Sequence, residues 1–228
     1  MKANNKIQYN AAYDLLTRNL KNNKRKTAFI DYKTTISYEK LYLKVQNFAE
    51  NIKKQGFCKN DKLIICLHDT IDFPVCFLGA IWAGVIPICI NTMLPLKEYE
   101  YILNDSQSKG AIISSKLLEP FLTLKKTIRK DFFLICDENP LNTNQCIDLQ
   151  SITNVNSRSN IDPAKTYKDT VCFWLYSSGS TGSPKGTLHV HKSLIATAET
   201  YAKKILNINA DDICFSAAKL FFAYGLGN

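Results

Sequence analysis

The run Ser177-Ser178-Gly179-Ser180-Thr181-Gly182-Ser183-Pro184-Lys185-Gly186 concentrates more chemistry than any other stretch of the chain. Glycines at 179, 182 and 186 let backbone amides approach a ligand with no side chain in the way. Hydroxyls from Ser177, Ser178, Ser180 and Thr181 and the ammonium of Lys185 add donors and charge, which together describe a cradle for a polyphosphate. The simple phosphate-loop spacing is not met. Pro184 stands where a second glycine would precede the lysine, and Gly186 follows it in place of Ser or Thr. A flexible Gly/Ser linker is the plain alternative. Against it, the run starts directly from Val171-Cys-Phe-Trp-Leu-Tyr176, which reads as a buried strand, and it closes on Pro-Lys-Gly. Ligands of open α/β sheets bind beyond the carboxyl ends of strands, where such a turn would emerge.

The elements that must hold this turn are legible as an alternation. A first amphipathic helix is expected over Ala11 to Asn22, followed by two short strands near residues 28–32 and 34–37. Ser37 can cap a helix whose Leu41, Val45, Phe48 and Ile52 recur at helical spacing up to Gly56. Strands are predicted over 62–67, 86–90, 111–114 and 132–136, and helices over 72–83, 96–104 and 116–129. The strands are continuous apolar runs, as expected when helices cover both faces of a parallel sheet. Residues 138–168 are polar and Asn-rich and read as a long irregular connection.

Composition bounds the rest. Of 228 residues, 46% are apolar and only 21% charged, enough burial for a core and too much for a disordered tail. The stretch Phe73 to Leu96 carries no formal charge over 24 residues, long enough to cross a bilayer, but Gly79, Gly84, Pro87 and Pro95 divide it into a helix and a short strand. The net charge of +9 invites nucleic acid as a partner. Yet 25 of the 29 cations are Lys, whereas base reading and phosphate forks favour Arg. The eight cysteines include no CxxC pair and mostly sit inside apolar runs, where a reduced thiol acts as a small hydrophobe. With no apolar segment near the N-terminus to act as a secretory signal, a cytoplasmic protein is expected.

Tyr176 to Gly186 resembles the signature of the adenylate-forming acyl-CoA synthetases. His189-Val-His191, Ala198 to Lys203 and Asp212 to Asn228 resemble, more narrowly, the benzoate-CoA ligase branch of that superfamily. The resemblance implies that ATP converts a carboxylic acid, an aromatic one in this branch, into an acyl adenylate, and that coenzyme A then displaces AMP. By the same resemblance Ser177, Ser178, Gly179, Ser180, Thr181, Gly182 and Lys185 would hold the ATP phosphates with magnesium sharing the charge, and Thr181 and Lys185 would act in the chemical step. Ala223, Tyr224 and Gly225 match the stretch that walls the acyl pocket. Tyr224 would offer an aromatic face, and Gly225 would leave room for a ring. Phe221 and Phe222 read as core aromatics. His189 and His191 alternate on what reads as a strand, so at most one faces a ligand, and neither is assigned to catalysis.

The family's later elements, a magnesium-binding Glu, a ribose-binding Asp and a mobile C-terminal domain with its Lys, have no counterpart in this sequence. What the resemblance implies over residues 1–228 is therefore the N-terminal portion of an AMP-binding domain of α/β class, a mostly parallel sheet flanked by helices. The C-terminal lid domain is lacking, and a separate chain is a candidate source of the missing part. The last strand is expected to want a neighbour and expose an edge. Two alternatives from other classes stay open at this point. One is a nucleoside-triphosphatase using the Gly-rich turn, and the other is a basic nucleic-acid-binding module.

Overall fold

The computed structural model describes residues 7–128, 131–138, 144–154, 159–177 and 182–227. Helix α1 (Ala11–Asn23) starts at Asn10, whose side chain accepts a hydrogen bond from the Tyr13 amide. Strands β1 (Thr27–Ile30) and β2 (Thr35–Ser37) pair antiparallel as a separate ribbon. Helix α2 (Tyr38–Lys54) is capped as its sequence suggests, by the Ser37 hydroxyl accepting from the Lys40 amide, and it buries Leu41, Val45, Phe48 and Ile52.

The main sheet then builds in alternation. Its elements are β3 (Lys62–Cys66), α3 (Asp72–Ala83), β4 (Ile86–Cys89), α4 (Leu96–Ser106), β5 (Gly110–Ile113), α5 (Leu118–Lys125), β6 (Phe133–Cys136), β7 (Ile147–Asp148), α6 (Leu149–Thr153), β8 (Val171–Ser177) and β9 (Lys185–Val190). Helix α7 (His191–Thr197), a π-helical turn over Ala198–Ala202 and the short α8 (Ala223–Leu226) complete the order. Seven strands run in the order β7-β6-β5-β3-β4-β8-β9, and every neighbouring pair is parallel except β8 with β9. This is the mostly parallel α/β architecture that the alternation predicts.

Both faces of the sheet are covered, which is why β3 to β6 need no polar alternation. On one face Leu63, Ile65, Cys89 and Phe173 pack with α1, α2 and α3. On the other Ile64, Ile88, Ile113 and Leu134 pack with α4 and α5. The uncharged stretch resolves into α3, nearly all buried, then Gly84 in the left-handed region at φ 79°, then β4. No described helix is long and apolar enough to cross a membrane. Helix α3 reaches α2 so closely that a Cβ on Gly79 would come within 2.5 Å of the Phe48 ring.

Three expectations are corrected. Residues 138–168 are not wholly irregular, since they contain β7 and α6. These elements are too short for a periodic signal and are fixed from a distance. Asn51 Nδ2 of α2 donates to the Ile152 carbonyl at 3.1 Å, and Asn47 Nδ2 donates to that of Asn154 at 2.5 Å. The expected helix over 116–129 opens as a 3-10 turn, Ser115–Leu117, and its α-helical part is Leu118–Lys125. His191 does not continue the strand that holds His189 but begins α7.

Candidate active site

The Gly-rich run connects two antiparallel neighbours, β8 and β9. Strand β8 ends at Ser177, β9 begins at Lys185, and these two residues are register partners. Beyond them Tyr176 pairs with Gly186, where a Cβ would stand 3.2 Å from the Tyr176 ring and 3.3 Å from that of Trp174, so glycine lets β9 lie flat on the aromatic side chains of β8. Tyr176 is anchored in turn, its hydroxyl donating to Asp105 of α4 at 2.5 Å; burial and that carboxylate hold its pKa well above the usual tyrosine range. Gly182 has φ 105°, a backbone conformation that disfavours any side chain, and open space where its Cβ would be. Ser178, Gly179, Ser180 and Thr181 lie outside the described residues.

Strand alternation puts Phe173, Leu175 and Ser177 on one face of β8, with His189, Thr187 and Lys185 as their partners on β9. That face carries a cleft of about 250 Å³. Its floor is Phe173, Leu175 and His189, its wall Leu194 and Ala198, and its rim Ala223 and Leu226. The His189 and Phe173 rings stack with centroids 4.6 Å apart and planes 1° from parallel. Burial lowers the His189 pKa, so the imidazole presents a flat, neutral surface. Leu175 in the cleft and Ser177 at the turn are two residues apart on one strand, roughly 7 Å.

The remaining sequence-predicted residues fall as follows. Ala223 lines the cleft. Tyr224 is 71% exposed and is not among the cleft residues. Gly225 is buried, and its missing side chain makes room for the Lys219 carbonyl, with Ala218 O 2.7 Å from where a Cβ would be. The space it leaves is filled by its own chain, not left for a ring. Phe221 is buried in the core whereas Phe222 is exposed, so only the first is a core aromatic. The segment carrying these residues is tied to the β3–α3 loop, where Asp69 accepts from the Leu220 amide at 3.1 Å and pairs with Lys219 at 3.4 Å.

The two histidines have different work. His191 is 2% exposed, and its Nδ1 accepts the Ala11 amide at 3.1 Å, joining α7 to the start of α1. Burial, helped by Lys59, lowers its pKa to about 4, so it stays neutral. Sequence reasoning did not find His189, Phe173, Leu175 or Leu194 as site residues. An alternating His-Val-His was the only signal, and which member faces the cleft depends on where β9 yields to α7.

Among the described residues no group of three or more His, Cys, Asp or Glu could hold a metal ion. A hard cation such as magnesium takes one or two carboxylates together with phosphate oxygens. The described residues supply hydroxyls and an ammonium beside the turn but no such carboxylate set, so they do not by themselves fit that ion. All eight cysteines are free thiols; six are buried, and Cys58 and Cys214 are exposed.

Comparison with known proteins agrees on one lineage. The family described as "AMP-binding enzyme" matches residues 16–228. A benzoate–CoA ligase from Thauera aromatica is 43% identical over 97% of the chain. A crystal structure of a benzoate CoA ligase from Burkholderia xenovorans superposes with TM-score 0.86 at 36% identity, over 96% of the chain and 42% of that structure. An anthranilate CoA ligase crystallised with anthranoyl-AMP gives TM-score 0.91 at 27% identity, over all of this chain and 43% of that one. The chain thus spans about two fifths of the length of the relatives it matches, 41% of the Thauera protein.

Proposed function

The chain belongs to the AMP-binding enzyme family, and on that premise we propose that it forms the N-terminal portion of an AMP-forming ligase that joins an aromatic carboxylic acid to coenzyme A. The observation that carries the reading is that Ser177 and Lys185, which bracket the Gly-rich run, lie on the same sheet face as the small aromatic cleft. A phosphate grip and a ring-sized apolar site on one strand suit a reaction in which an acid must meet a nucleotide.

In the first step an acid oxygen attacks the α-phosphorus of ATP and pyrophosphate leaves. Lys185 and the Ser177 hydroxyl, with the backbone at Gly182, would neutralise charge on the β and γ phosphates as that bond breaks. Ser178, Gly179, Ser180 and Thr181 complete the turn by family resemblance. Donors already in place need no reorganisation when charge develops, which is the largest source of such catalysis. The acid's ring would lie over the Phe173–His189 stack with Ala223 at its rim and Tyr224 nearby. A volume near 250 Å³ suits a single ring better than a long acyl chain. In the second step the coenzyme A thiolate attacks the acyl carbon and AMP leaves. No described residue is assigned to magnesium.

The test is acid-dependent exchange of labelled pyrophosphate into ATP. It uses the chain joined to the region of the Thauera relative that lies beyond the match. Exchange with benzoate or a ring-substituted benzoate supports the reading. Phosphate release without any acid would instead favour a nucleoside-triphosphatase.

A further inference from the structure

A second concavity lies away from the Gly-rich turn. It measures about 710 Å³ and opens where β3, β5 and β6 end, at His68, Ser115 and Asp137. In the sheet order β5 lies on one side of β3 and β4 on the other, so the chain reverses its direction of growth at β3. The crevice outside the carboxyl ends of strands at such a reversal is where open α/β sheets bind ligands.

The charges around it are unevenly used. Asp31 is occupied by the amides of Lys33, Thr34 and Ile71, and Asp137 by those of Ser115 and Glu138. Glu138 pairs with Lys33 at 3.3 Å. Asp72 accepts weakly from Gln150 at 3.4 Å, and its burial disfavours the charged form, which Lys44 and that hydrogen bond partly offset. By contrast Lys40 and Lys116 line the cleft without a side-chain hydrogen-bond or ion-pair partner among the described residues, and Lys44, which makes no salt bridge there, acts electrostatically on the Asp72 carboxyl. Lys44 is half-buried. Thr35, Thr70 and Ser115 add hydroxyls to the same wall.

We propose that this cleft is a second anion site, in which Lys40, Lys44 and Lys116 hold a phosphate-bearing small molecule independently of the Gly-rich turn. Lysine binds phosphate as a point charge, and three ammonium groups on one cleft answer a multiply charged ligand better than a single carboxylate. The site stands whether or not the ligase reading holds, because it rests on other residues.

The experiment is calorimetric titration of the chain with inorganic phosphate, pyrophosphate or coenzyme A at low and moderate salt. Lys185→Ala serves as the background that disables the turn. Expected is binding in that background that weakens with salt, and that falls at least about tenfold in Lys44→Gln/Lys116→Gln. Charge reversal at exposed Lys116 alone, Lys116→Glu, should weaken it too while circular dichroism stays unchanged. Binding of the free anions points to a phosphate or pyrophosphate site, and binding of coenzyme A alone to a phosphate carried on a nucleotide. The proposal is overturned if none of the three probes binds in the Lys185→Ala background, or if the lysine variants bind as tightly as the parent.

Discussion

Ser177 and Lys185 face one another as the last residue of β8 and the first of β9, so the sheet fixes both ends of the Gly-rich run. Cross-strand pairing fixes the Lys185 backbone while its exposed side chain stays free to reach a ligand at the turn. A cation so placed can act on phosphates without contributing to the core.

Lys185→Ala should therefore weaken ATP affinity by about tenfold to a hundredfold, the usual worth of a charge-assisted contact, and leave the thermal midpoint unchanged. Titration with ATP beside a melting curve separates the two. An equal loss of stability would mark the turn as structural.

Ala223 and Gly225 should part company, although the sequence presents them as one motif. Ala223→Leu narrows the cleft beside Phe173 and should lower benzoate affinity with little change in stability. Gly225→Ala drives a methyl group into the Lys219 carbonyl, a backbone atom that cannot swing aside. Overpacking of that kind costs about 1–3 kcal/mol and should loosen the segment whatever acid is present. Denaturant melts and acid titrations of the two variants, read together, decide it. Loss of binding at unchanged stability in Gly225→Ala would restore that glycine to the pocket.

How much of this could be read beforehand divides along physical lines. Helix α2 was legible because Leu41, Val45, Phe48 and Ile52 repeat at its own period and Ser37 supplies the cap, both local properties. The strands were legible because burial on two faces demands unbroken apolar runs such as Leu63-Ile64-Ile65. The turn was visible because glycine, hydroxyl and lysine in one run are uncommon. Helix α6 was not visible, since amides of Asn47 and Asn51, about a hundred positions earlier, position it. Most of the cleft was not visible either, because Phe173 and Leu194 come from separated segments and read singly as ordinary core residues, and only Ala223 was marked, by resemblance. Gly225 illustrates a related limit. The type of residue announces a need for space, and only the fold says what fills it.

The α2–α3 contact gives a test of the fold itself. Because a Cβ at Gly79 would meet Phe48 Cδ1 at 2.5 Å, Gly79→Ala should destabilise by about 1–3 kcal/mol despite its better helix propensity. Adding Phe48→Leu, which shortens the obstructing side chain, should give a double variant less destabilised than the sum of the two single changes. A urea melt of the two single variants and the pair measures that coupling, and strict additivity would mean the two residues do not meet as described.

His191 makes the stability of this chain depend on pH in a defined window. Its ring is buried and neutral with a pKa lowered to about 4, against 6.5 for an unperturbed imidazole. Between those values the unfolded chain binds a proton that the folded chain does not, so acid favours unfolding and stability rises with pH. The contribution is complete above pH 6.5 and is lost progressively as pH falls toward 4, amounting to as much as about 3 kcal/mol. His191→Gln retains an acceptor that can still meet the Ala11 amide but cannot titrate in this range. Its stability should therefore fall less steeply than the parent's between pH 6.5 and 4, while His191→Ala leaves that amide unpaired and should cost about 1–3 kcal/mol at neutral pH. Chemical denaturation across this range reads both effects. Parallel pH curves for parent and His191→Gln would show that another group carries the dependence.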